Sequence, residues 1–115
     1  MRSIPKTIPI GPHVFTVTIH DDLTETDEAY GMMHIGNQTI KIQGKNKDFN
    51  HASQVQALYH EILHAIFEIH GERDLSADEG RVEGLSQLLY QAMNGKRGKA
   101  EIIKPEDKQE ETNDG

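Results

Sequence analysis

Residues 51–69, HASQVQALYHEILHAIFEI, decide how this chain is built. Val55, Leu58, Ile62, Ala65, Ile66 and Ile69 recur at steps of three and four, the spacing that lays side chains along one stripe of an α-helix. Asn50 or Ser53 offers a side-chain oxygen to the unpaired amides of the first turn. Gly71 follows the last apolar position, where chains commonly leave a helix through the left-handed region. The pattern predicts a single helix from about residue 51 to 69.

Before that helix the chain reads as strands. Lys6–Ile10 and Val14–Ile19 are β-rich runs separated by the turn pair Gly11-Pro12. DDLTETDE (21–28) has five acids in eight residues and reads as a surface loop. Tyr30–Ile35 and Thr39–Gln43 are expected to form a hairpin through Gly36-Asn37. In its second arm Ile40 and Ile42 alternate with Lys41 and Gln43, the period of a half-buried strand. Gly44–Asn50 is a polar loop.

After the helix, a second one is expected over about 77–94, with Val82, Leu85, Leu89 and Met93 on its core face. Ser76-Ala-Asp-Glu79 has the form of a capping box at its start, and Gly95 ends it. Residues 96–115 hold 11 charged side chains in 20 and read as a disordered tail. Strands first and helices after give an α+β class: a small N-terminal antiparallel sheet of three or four strands packed on two helices, one domain over 1–95.

Composition narrows the function. The chain has 115 residues, no cysteine and a net charge of −7, so disulfides and thiolate metal sites are excluded. Residues 1–95 alone carry 7 basic and 13 acidic side chains, which disfavours nucleic acid as a partner. No apolar run reaches the ~18 residues of a membrane span, and the N-terminus lacks the apolar core of a secretory signal. A cytoplasmic protein is expected. Its seven histidines are many for the length, and without thiols a metal site must use imidazoles and carboxylates.

Two of those histidines lie in the first helix, in His60-Glu61-Ile62-Leu63-His64, an HExxH sequence. At this chain's His and Glu frequencies, chance yields the pattern roughly 0.04 times. Four residues apart, the two imidazoles stand about 40° apart around the axis and ~6 Å apart along it. That placement suits two corners of a zinc tetrahedron. On a wheel with Val55 at 0°, His60 and His64 fall near 140° and 180°, away from the apolar stripe and onto a cleft or solvent. Glu61 is then placed to act as a general base beside the ion.

The third ligand is less tightly specified. His70 is about 240° round from His64 and ~9 Å up a continuous helix, out of reach of the same ion. On the second helix Glu79 lies nearer the packed boundary than Glu83, although Glu79 can instead complete the capping box. Asp78 is a lesser rival. Glu83 suits an acceptor for the N–H of a ligand histidine, or a solvated helix face. Glu68, His34, Tyr59, Arg81, Tyr90, His13, His20 and His51 show no spacing that demands a role.

LYHEILHAIFEIHG followed by DEGRVEGLSQLLYQ resembles the small zincin-like metallopeptidases of phages and mobile elements, the ImmA/IrrE family. The resemblance covers about residues 30–93. That family carries E-x-x-A-N-x-F-A on its second helix. Glu79 stands at the ligand glutamate of this pattern, with Val82, Glu83, Leu85 and Ser86 as departures. The resemblance implies zinc held by His60, His64 and Glu79, with Glu61 as catalytic base and Glu83 behind a ligand histidine. It also implies a protein substrate of repressor type. The alternative function is a non-catalytic, metal-stabilised binding module of the same fold, such as a phage effector. The retained Glu61 argues for the enzyme.

Overall fold

Gly11 turns the chain at φ 59°, a left-handed conformation that costs glycine little, and folds Thr7–Ile10 (β1) back onto His13–His20 (β2). The computed structural model describes residues 3–94; the expected charged tail at 96–115 lies outside them. Gly31–His34 (β3) and Thr39–Gln43 (β4) form the second hairpin, with Gly31 opposite Ile42 and His34 opposite Thr39.

The α+β class holds, with the sheet N-terminal to the main helices. The sheet is mixed, not antiparallel throughout. Its order is β1-β2-β4-β3, and β4 runs parallel to β2 from Thr16↔Thr39 to His20↔Gln43. The chain leaving β2 crosses to the far edge before returning beside it. The acidic segment that makes this crossing is not simply a loop. Leu23–Thr26 forms a single helical turn (α1), and Leu23, the one apolar residue of DDLTETDE, is buried. Gln43 holds the crossover in place. Its side-chain oxygen accepts from the Thr24 amide at 2.9 Å, and its amide group donates to the Asp21 carbonyl at 2.7 Å. Gln43 is therefore buried with Ile40 and Ile42, where strict alternation would expose it.

His51–His70 (α2) is the expected long helix. The Asn50 side chain accepts from the Ser53 amide at 2.9 Å, and Gly71 closes the helix at φ 85°. Leu58 and Ala65 of α2 pack with Phe15, Val17, Ile40 and Ile42 of the sheet into the core. The second helical region is divided. Arg73–Ala77 (α3) and Glu79–Asn94 (α4) meet at Asp78. The expected capping box is absent. Asp78 accepts from the Arg81 amide at 3.1 Å, so it caps α4 and is not a metal-ligand candidate. The buried face of α4 is Val82 and Ser86, whereas Leu85, Leu88 and Met93 are exposed. Ser86, fully buried, stands on the covered face in place of the expected Leu85 and Met93.

Candidate metal centre

α2 presents His60 and His64 one turn apart, and the α3–α4 junction brings three further side chains over them. The Nε2 atoms of the two histidines are 3.2 Å apart. One Glu79 carboxylate oxygen is 3.1 Å from Nε2 of His60, and the other is 3.3 Å from Nε2 of His64. The opposite ring nitrogens point outward to separate partners. Nδ1 of His60 lies 2.8 Å from Glu83, and Nδ1 of His64 lies 3.0 Å from the Ser76 hydroxyl.

This donor set fits zinc. An ion with Zn–N bonds of about 2.05 Å separates two tetrahedral ligands by about 3.3 Å, and the imidazole nitrogens stand at nearly that separation. If His60 donates from Nδ1 to the Glu83 carboxylate, its neutral form leaves the Nε2 lone pair facing a second carboxylate, Glu79. Two acceptors in opposition call for a positive charge between them, supplied by a proton or a metal ion. His60, His64 and Glu79 can place one ligand atom each within 4.8 Å of the others, a grouping able to hold such an ion.

Glu61 lies on the packed side of the same turn and is 8% exposed. Burial pushes its carboxyl up to about 7, opposed by the neighbouring His60 and assisted by the charge of Glu79. β3 passes close to it. A Cβ added at Gly31 would stand 3.1 Å from Glu61 Cγ and 3.2 Å from its Oε2, so glycine there keeps the strand against the carboxylate.

Gly31, His60, Glu61, His64, Glu79 and Glu83 line one cleft of about 640 Å³, and Ser76 holds His64 from behind it. Glu79 and Glu83 of α4 line it together with Tyr30, Gly31 and Phe49. No family model, curated protein or solved structure matches this chain.

The four residues given roles by the sequence, His60, Glu61, His64 and Glu79, share this cleft, and Glu83 holds the outer nitrogen of His60. The other candidates are elsewhere. His70 is exposed and lies 3.3 Å from Glu72. Glu68 lies 3.7 Å from Arg73, and Arg81 pairs with Asp78. Tyr59 is buried and accepts from Asn94. His34 is not among the residues lining the cleft. In the sequence Ser76 has the form of a cap, and nothing local marks it as the partner of His64. Their meeting depends on the reversal at Gly71.

Proposed function

We propose that the chain is a zinc-dependent metallopeptidase of the ImmA/IrrE kind, acting on a peptide segment of a protein substrate. One observation carries the reading: two imidazole nitrogens and a carboxylate converge on one point, with the buried carboxyl of Glu61 beside them in an open cleft. His60, His64 and Glu79 would hold the ion. When bound, zinc supplies Lewis-acid chemistry, polarising a carbonyl and acidifying water.

The remaining steps belong to the chain. β3 is an edge strand, so an extended peptide can add to it by main-chain hydrogen bonds. Gly31 then sets the peptide over Glu61. Glu61, whose burial raises its proton affinity into the neutral range, takes a proton from the attacking water and returns it to the leaving amine as the C–N bond breaks. Glu83 and Ser76 fix the ring orientations of His60 and His64, so that the metal-facing nitrogens are set before the ion arrives.

The test pairs metal analysis of the purified protein with a cleavage assay on repressor-type and host proteins. One zinc per chain and cleavage are expected. Glu61→Gln is expected to keep the zinc and lose about a hundredfold or more of turnover. A bound zinc with no cleavage of any protein would instead assign the fold to the binding-module reading. That reading is favoured by the lack of any Lys or Arg among the described cleft residues to stabilise an oxyanion.

A further inference from the structure

The cleft extends beyond the metal point onto an aromatic plate. Tyr30 and Phe49 stack nearly parallel, 8° apart, with ring centroids separated by 4.8 Å. Phe49 is 7% exposed, whereas Tyr30 is 59% exposed, so one ring face is supported from behind and the outer ring is open. The backing is firm. Phe49 exchanges two backbone hydrogen bonds with Asn46, and Asn50, the residue after it, caps α2. Tyr30 directly precedes Gly31, so the plate adjoins the strand that passes Glu61.

The charge in the cleft is one-sided. Its described ionisable lining consists of Glu61, Glu79 and Glu83 with the two histidines and the Tyr30 phenol, and no Lys or Arg. No lining Lys or Arg offers a charge-assisted hydrogen bond to a substrate's terminal carboxylate. An acidic substrate side chain would meet repulsion from like charges.

We propose that this cleft takes an internal segment of a peptide and selects an aromatic or large aliphatic side chain, which lies on the Tyr30–Phe49 plate beside the metal centre. Acidic side chains are rejected there. The proposal rests on the peptidase reading above and adds its substrate class. Stacking and apolar burial on a pre-formed ring provide the preference. Because β3 is an edge strand, a peptide paired with it can continue past the plate in either direction.

The experiment is calorimetric titration of the zinc-loaded full chain with succinyl hydroxamates that differ in one side chain: benzyl, isobutyl, methyl or carboxymethyl. The hydroxamate group reports the metal centre and the side chain reports the plate. Benzyl is expected to bind about tenfold tighter than methyl, a preference of stacking size, and carboxymethyl most weakly. Tyr30→Ala should reduce the benzyl-to-methyl ratio to about threefold or less, through a larger loss for benzyl than for methyl. Tyr30→Phe should retain the ratio. Equal binding of benzyl and methyl by the wild type, or a ratio unaffected by Tyr30→Ala, overturns the aromatic subsite while leaving the metal centre standing. Failure of every hydroxamate to bind, with no zinc retained, overturns both.

Discussion

At the residue scale, Glu61 carries the sharpest physical demand. It stands in a helix whose apolar stripe is supplied by others, yet it is almost wholly buried, and its carboxyl is raised from 4.5 to about 7. A carboxyl with a raised folded-state pKa binds its proton more tightly in the folded chain. The stability this contributes is complete below pH 4.5 and is lost as the pH rises through about 7. Glutamine has no charge to bury. The zinc-free Glu61→Gln variant is therefore expected to match the wild type near pH 4.5 and to exceed it at pH 8 by on the order of 3 kcal/mol. Denaturant unfolding in the presence of a chelator measures both. No difference at pH 8 would mean that ionised Glu61 is well solvated. The same buried position makes Glu61 a base that gains its proton near neutral pH.

At the scale of elements, α2 provides two donors and the α3–α4 unit provides the remainder. α3 carries Ser76 and α4 carries Glu79 and Glu83, and the turn through Gly71 lays them across the histidines. The three contribute unequally to metal affinity. Glu79 faces both inner nitrogens, while Glu83 and Ser76 each hold one outer nitrogen. Glu79→Ala should weaken zinc binding by more than about a hundredfold, and Glu83→Ala and Ser76→Ala by about tenfold each. Competition against a chromophoric chelator ranks them. A larger loss for Glu83→Ala than for Glu79→Ala would transfer the ligand role to Glu83.

At the scale of the molecule, a metal that joins α2 to α4 binds only when both are in place, and binding is therefore linked to folding. Free zinc at 100 times its dissociation constant stabilises the folded chain by about 2.7 kcal/mol. In a domain of this size, that moves the melting temperature by roughly 10–20 °C. Removing zinc with a chelator should lower the melting temperature by that amount, and restoring zinc should reverse the change. An unchanged melting temperature in calorimetry would mean that the ion, if bound, does not connect the two helices. The sheet and α2 share the core of Phe15, Ile40, Ile42, Leu58 and Ala65, which does not include the metal point.

Local pattern was enough for several features. The three-and-four spacing of Val55, Leu58 and Ala65 determined α2, Gly11 the turn from β1 to β2, Gly71 the end of α2, and HExxH the two histidines on one face. These depend on interactions within about four residues, and such interactions are written in the sequence. Strand order was not legible, because alternation along β2 and β4 is the same whether they run parallel or antiparallel. The covered face of α4 was not legible either: Leu85 and Met93 look like core residues, yet Val82 and Ser86 are the ones buried. The burial of Glu61, the bond from Ser76 to His64 and the stacking of Tyr30 on Phe49 join residues 12 to 30 or more positions apart, or depend on a strand passing over a helix. Only the tertiary structure decided these, because a contact between distant segments depends on the geometry of everything that connects them.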